Sequence, residues 1–289
     1  MKKIVFMGTP LFAVPILNSI YKKGYNIPLV YTQPPSKKNR GLEIIKSPIH
    51  IFCDEKKLNV RTPKNFDNLD EERDILEKLK ADLAIVVAYG QMLPKGILST
   101  CKKGFVNIHA SLLPKWRGAA PIQRSILNLE NETGISVMQI NNKLDEGNVC
   151  SQFKININKN DNAEDLSTKL SNLASEKIIG EVEDILENKK IFFKQDHSKA
   201  TYAKKIRKIE GQINWKDNAD NILGKINGLY PNPGAWFYFK GERYKILKAN
   251  ISNNFGTPGK VINDKIEISC GKNSIKILEI QREGKKVQN

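Results

Sequence analysis

The chain has 289 residues, 40% of them hydrophobic, and carries 47 Lys and Arg against 31 Asp and Glu for a formal net charge of +16. That length suits two domains and that apolar share supports a sizeable core, while no run approaches the roughly 20 apolar residues of a membrane span. The opening MKKIVFMGTP has too short an apolar run for a signal peptide, because Gly8, Thr9 and Pro10 interrupt it.

In chain order, KKIVFMG reads as a short strand, and FAVPILNSIYKKG as a helix with Pro in its first turn and Gly24 at its end. IPLVYT reads as a second strand and QPPSKKNRGLEIIKSP as a long loop bounded by prolines. IHIFCDEKK is helical, LNV begins a short strand, and DEERDILEKLK is an amphipathic helix. The unbroken apolar ADLAIVVAYG suits a strand buried on both faces. FVNIH follows as a strand, then a helix from about Ala119 to Leu129, the strand TGISVMQI and a long amphipathic helix over 163–188. Alternating strands and helices predict an α/β fold, a mostly parallel twisted sheet with helices on both faces.

After IFFKQDHSKATYAKK the pattern changes to short strands, GAWFYF, RYKILKANI, GKVI, KIEISC and SIKILEI, with one helix near 218–229. That alternation predicts a smaller β-barrel of the oligonucleotide-binding kind. The expected organisation is a first domain over 1–190, a linker over 191–204 and a basic domain over 205–289. Residues 191–289 hold 19 Lys and Arg against 9 Asp and Glu, a net of +10, whereas residues 1–190 hold 28 against 22, a net of +6. The last third is therefore the electropositive part, which points to nucleic-acid contact. Biased composition is the competing explanation.

The four cysteines, Cys53, Cys101, Cys150 and Cys270, are scattered and form no metal-ligand pairs. Reduced thiols in a cytoplasmic protein and no metal are expected. The N-terminal MGTPLFA is not a G-x-G-x-x-G fingerprint, and no Walker lysine is present. Interest centres instead on NIHASLLPKWRGAAPI at 107–122. Strand residues two apart share a face, so Asn107 and His109 project together at the end from which the chain leaves the sheet. Open α/β sheets bind ligands there, and the loops after VVAYGQML and TGISVMQI should converge on it. The second loop supplies Asp145, followed by Glu146 and Gly147. Asn can donate to an oxygen gaining negative charge, His can move a proton, and Asp can orient the imidazole. The bland alternatives are two polar residues closing a strand, and a turn aspartate before a glycine. With no G-x-S-x-G elbow and no reactive-Cys signature, direct transfer is favoured over a covalent enzyme intermediate.

NIHASLLPKWRGAAPIQ, with LDEGNV downstream and MGTPLFA, VYTQP and VAYGQMLP upstream, resembles the folate-dependent formyltransferase family over nearly the whole chain. TYAKKIRKIEGQINW and LYPNPGAWF resemble the RNA-contacting domain of its tRNA-directed branch. The resemblance implies 10-formyltetrahydrofolate as formyl donor and the α-amino group of methionine on initiator tRNA as acceptor, for translation initiation. It places the catalytic Asn, His and Asp on Asn107, His109 and Asp145, and the folate-binding loop on Ser111, Leu112, Leu113 and Pro114. Tyr89, Gly90 and Leu93 would line the pterin crevice. Lys37, Lys38 and Arg40 match an insertion that reaches the acceptor stem, although Leu42 and Glu43 stand where relatives usually carry further basic residues. Lys204, Lys205, Arg207 and Lys208 are the expected tRNA contacts of the second domain, and a monomer is expected. Two other readings compete: a family member acting on a small amine, which needs no basic domain, and an RNA-binding protein on an inactive formyltransferase fold, which needs no Asn–His–Asp set.

Overall fold

The computed structural model describes residues 1–38, 43–66, 68–264 and 266–288. Seven strands form the N-terminal sheet: β1 (Ile4–Gly8), β2 (Val30–Tyr31), β3 (Val60–Arg61), β4 (Leu83–Val87), β5 (Phe105–His109), β6 (Glu132–Gln139) and β7 (Val149–Asn156). Their order is β7-β6-β5-β4-β1-β2-β3. The pairings β3–β2, β2–β1, β1–β4 and β4–β5 are parallel, while β6 runs antiparallel to β5. Every residue of β1 and β4 is buried, as helices on both faces require. β7 occupies residues to which no element is assigned from sequence. Residues 36–38 and 43–45, within the expected loop, pair as a short antiparallel hairpin.

Six helices of seven residues or more lie among the described residues: α1 (Val14–Lys22), α2 (Pro48–Lys56), α3 (Leu69–Leu79), α4 (Pro121–Leu127), α5 (Ala163–Leu186) and α6 (Ala219–Gly228). Ser47 caps α2, its hydroxyl accepting from the His50 amide at 3.0 Å. Asp70, Glu71 and Glu72 fill the first turn of α3 and Lys78 its last, matching the helix dipole at both ends. On α5, Leu166, Leu170, Ala174, Ile178, Val182 and Ile185 are buried, one apolar stripe at three- and four-residue spacing.

The chain packs as two compact units, and the division is not a single cut. Residues 1–117, 134–154 and 168–201 form the first, and residues 118–133, 155–167 and 202–289 the second. The final crossing, between Thr201 and Tyr202, lies within the linker expected over 191–204. Segment 118–133 joins the second unit because α4 packs on α6, and segment 155–167 is tied to α6 by Asn227 Nδ2, which donates to the Lys159 carbonyl at 3.2 Å. A Cβ on Gly224 would sit 2.7 Å from Leu129 Cδ2, and one on Gly228 3.1 Å from Leu127 Cγ, so two glycines let these helices approach closely.

The second unit also contains β8 (Ala235–Phe239), β9 (Glu242–Ser252), β10 (Val261–Asn263), β11 (Glu267–Ser269), β12 (Ser274–Arg282) and β13 (Val287–Gln288). They pair as an antiparallel sheet in the order β8-β9-β12-β11-β10, with β13 on β12. Ile222, Leu223 and Ile226 of α6 pack with Ile246, Ala249, Ile275 and Ile277 of the sheet in one core.

Candidate active site

The carboxyl ends of β1, β2 and β4 are tied to one atom. The Tyr89 carbonyl, just beyond β4, accepts from Thr9 Oγ1 at 2.9 Å and from Gln33 Nε2 at 3.2 Å, and Thr9 Oγ1 accepts from the Gln33 amide at 3.3 Å. Three stretches far apart in sequence, MGTPLFA, VYTQP and VAYGQML, are thereby joined. Tyr89 and Leu93 are buried in one apolar cluster, against which Ile140 from the end of β6 packs. Gly90 is exposed with φ +85°, a left-handed conformation open to glycine. Tyr89 Oη and Gln91 Oε1 are buried without a hydrogen-bond partner.

At the end of β5, the alternation of the strand sets Asn107 and His109 on one face. His109 Nε2 lies 2.8 Å from the Trp116 carbonyl. A carbonyl only accepts, so Nε2 carries a proton. The other ring nitrogen, Nδ1, lies 3.7 Å from Asp145 Oδ2, with the His109 side chain 6% exposed and that of Asp145 15%. The imidazole is thus suspended between two acceptors. The half-buried Asn107 amide is hydrogen-bonded to none of the described side chains and is free to donate outward.

The 145–147 turn is held by its backbone. Asp145 adopts φ +51°, an unusual conformation for a residue with a side chain. A Cβ on Gly147 would fall 1.7 Å from the Gln139 carbonyl oxygen, so only glycine lets the turn lie against β6. Gln195 Nε2 donates to the Asp145 carbonyl at 2.9 Å and to the Gly147 carbonyl at 2.7 Å. Gln195 Oε1 in turn accepts from Arg117 Nε at 3.0 Å and Nη2 at 2.7 Å. Arg117 is fully buried, and its Nη1 lies 3.6 Å from Glu146 Oε1 and 3.3 Å from His197 Nδ1. His197 Nδ1 also lies 3.8 Å from Glu146 Oε2. Arg117 sits inside the WRGAAP motif, but Gln195 and His197 lie some 80 residues away in a stretch with no pattern, and sequence reading passes over them.

The Ser111–Pro114 loop is closed on itself and onto the sheet. Ser111 is buried, its hydroxyl donating to the Lys115 carbonyl at 2.6 Å. Ser136 accepts from the Leu113 amide at 3.0 Å and donates to the Ser111 carbonyl at 2.6 Å. Gln152 Nε2, on β7, donates to the Leu113 carbonyl at 2.7 Å. Leu113 is buried, and Leu112 and Pro114 are half-buried. Burial pushes the Cys150 thiol up to about 11, so it is not a thiolate at neutral pH and is no candidate nucleophile.

Of the expected RNA contacts, Lys37 and Lys38 lie on the Ser36–Lys38 strand of the hairpin, and Arg40 lies outside the described residues. In the second unit Lys204, Lys205, Arg207 and Lys208 are all exposed. Arg207 Nε lies 3.8 Å from Glu210 Oε1, and Arg124 fixes this stretch by donating to the Lys204 carbonyl and Glu210 carboxylate. Among the described residues no three His, Cys, Asp or Glu side chains are grouped as metal ligands, and no helix is long and apolar enough to cross a membrane.

Residues 1–182 match the formyl transferase family model, and residues 205–289 match the model of the formyl transferase C-terminal domain. The chain belongs to the formyl transferase family. This formyl transferase is 62% identical over 289 residues to the methionyl-tRNA formyltransferase of Pelagibacter ubique, covering 100% of this chain and 93% of that one. It is 41% identical over 286 residues to the methionyl-tRNA formyltransferase of Caldanaerobacter subterraneus, covering 98% and 93%. In fold it resembles an N-formyltransferase from Helicobacter canadensis crystallised with folinic acid and dTDP-3-aminofucose, with a TM-score of 0.73 at 24% identity over 96% of this chain and 99% of that one.

Proposed function

We propose that the chain transfers a formyl group from 10-formyltetrahydrofolate to the α-amino group of methionine carried on initiator tRNA. The observation that carries this reading is a single juxtaposition. A free amide at Asn107 stands on the same strand face as an imidazole held between the Trp116 carbonyl and the Asp145 carboxylate. Full-length similarity to methionyl-tRNA formyltransferases supports the choice of acceptor.

The amine of an aminoacyl ester is a weak base and is available as a nucleophile near neutral pH. The folate supplies the formyl group on its N10 and leaves as tetrahydrofolate. Asn107 donates to the formyl oxygen as that oxygen gains negative charge, a contact worth most in the transition state. His109 carries the proton: nitrogen of the acceptor loses one and N10 gains one, so no external acid or base is consumed. Asp145 orients the ring and stabilises its cationic form, and the 3.7 Å separation leaves the pair able to close or to work through a water. Tyr89, Gly90, Leu93 and the Ser111–Pro114 loop shape the folate crevice. Lys37, Lys38 and Arg40 approach the acceptor stem, and Lys204, Lys205, Arg207 and Lys208 attract the phosphate backbone. The protein acts as a monomer in the cytoplasm and needs no metal.

Incubation with 10-formyltetrahydrofolate and methionyl initiator tRNA, with glycinamide ribonucleotide and a nucleotide amino sugar as rival acceptors, tests the assignment. Formyl transfer to the aminoacylated tRNA is expected. Preferential transfer to a small amine would overturn it.

A further inference from the structure

We propose that Gln195 and Arg117 are positioning residues for the reaction, and that they set the catalytic carboxylate of Asp145 by clamping the backbone of its turn. The inference rests on the active-site reading above.

The carboxamide of Gln195 is used completely. Its NH2 donates to the carbonyls of Asp145 and Gly147, on either side of Glu146. Its oxygen accepts twice from the Arg117 guanidinium. Such saturation fixes which end of the amide faces the turn, because an arginine can only donate and a carbonyl can only accept. The turn needs an external hold. Asp145 has φ +51°, which a non-glycine residue keeps only when its surroundings impose it. Glu146, between the two clamped carbonyls, faces Arg117 as well, at 3.6 Å.

Arg117 also links the two supports of His109. The residue before it is Trp116, whose carbonyl faces His109 Nε2 at 2.8 Å. The Arg117 amide donates to the Thr201 carbonyl at 2.9 Å and the Trp116 amide to Thr201 Oγ1 at 2.9 Å, which anchors that carbonyl. One buried side chain therefore sets the Asp145 turn while its own backbone sits beside the acceptor that holds the imidazole. A charge of this kind is expensive to bury and is retained where its geometry matters. None of these atoms need touch either substrate, so the effect should appear in the rate of chemistry and not in binding.

The test is Gln195→Glu in the full-length protein. The new carboxylate has the same length and still accepts from Arg117, but it cannot donate to the turn. We expect kcat to fall by about ten- to hundredfold, the scale of a small misplacement of a catalytic group. KM for both substrates and Kd for tetrahydrofolate should stay within about twofold, the pattern of an interaction felt only in the transition state. Should the buried carboxylate prevent folding, Gln195→Met removes the amide at equal length and reads the same quantities. Arg117→Lys keeps the charge without the paired donors and should lower kcat in the same direction. The single-turnover rate of Asp145→Asn, measured alongside, separates two kinds of failure. If Asp145→Asn is severely impaired while Gln195→Glu and Gln195→Met both retain wild-type kcat, the positioning role is wrong and the site reading stands. If Asp145→Asn is itself unimpaired, the site reading falls. A Gln195 loss seen equally in KM and tetrahydrofolate affinity would mark a merely structural role and overturn the proposal.

Discussion

His109 has both ring nitrogens turned toward acceptors, the Trp116 carbonyl and the Asp145 carboxylate. Removing the imidazole by His109→Ala, or the carboxylate by Asp145→Ala, should lower single-turnover formyl transfer by about a hundredfold or more, the scale of losing a general acid–base group or its orienter. Tetrahydrofolate affinity should change far less, because the apolar wall around Tyr89 and Leu93 is untouched. Rates within threefold of wild type for either variant would remove that residue from the mechanism. At this scale the sequence is informative where chemistry is local. Asn107 and His109 are two apart on a strand, and strand geometry alone puts them on one face. Asp145 is legible only as a polar residue after a strand, and its nearness to His109 comes from β6 pairing with β5, His109 opposite Ser136. Gln195 is beyond reach of any local pattern, because a lone Gln followed by Asp carries no periodicity and its role exists only through Arg117.

Among the elements, β11 carries a buried carboxylate that the chemistry does not use. Glu267 accepts from Ser274 Oγ, from Asn254 Nδ2 at 3.1 Å and from Asn263 Nδ2 at 2.7 Å. These donors, the Ser274 hydroxyl foremost, hold its pKa down to about 2. The unfolded value is about 4.3, so the ionised form is favoured by folding. Its contribution is fully present above the unfolded value and is lost as pH falls from there toward about 2. Thermal midpoints measured from pH 6 to pH 2.5 should therefore show an acid-side decline that Glu267→Gln makes shallower, at the cost of lower stability at neutral pH. A parallel decline in both proteins would deny Glu267 that role. The long helices are readable because each has one dominant period, as the stripe from Leu166 to Ile185 illustrates, and the buried strands because their apolar runs are unbroken. β7 is different. Ser151, Phe153 and Ile155 are half-buried and alternate with exposed Gln152, Lys154 and Asn156, yet Ser151 dilutes the apolar half, Val149 to Ser151 show no alternation, and an edge strand of this kind reads as a loop. The paired stretches 36–38 and 43–45 are likewise hidden, since each is only three residues long and the first is Ser-Lys-Lys.

For the molecule as a whole, the charge asymmetry predicts that attraction and catalysis are carried by different stretches of the chain. Residues 191–289 carry +10 of the +16 charge and none of the three residues proposed to act on the substrates, Asn107, His109 and Asp145. Neutralising Lys204, Lys205, Arg207 and Lys208 together should weaken initiator and elongator tRNA alike and flatten the dependence of Kd on salt. Arg40→Ala should instead reduce kcat/KM on initiator tRNA selectively. Measuring both tRNAs over a salt series tests the pair: an unchanged salt slope would deny the electrostatic role, and equal losses on both tRNAs would make Arg40 a general phosphate contact. Composition is the ground for this expectation, but it does not foretell where the second unit begins. A change of texture near residue 200 marks the last crossing of the chain, whereas the inclusion of 118–133 depends on Gly224 and Gly228 meeting Leu129 and Leu127 across two helices.

That interleaving governs how the protein comes apart. The chain passes between its two units five times, so neither can be excised by one cut. A fragment beginning at residue 205 leaves behind α4, and the close-packed face of α6 around Gly224 and Gly228 is bared to water, an invitation to aggregate. Scanning calorimetry of the intact chain should accordingly give one cooperative transition, with calorimetric and van't Hoff enthalpies in agreement, in place of two separable melts. Two resolved transitions would mean that the threaded segments transmit no cooperativity.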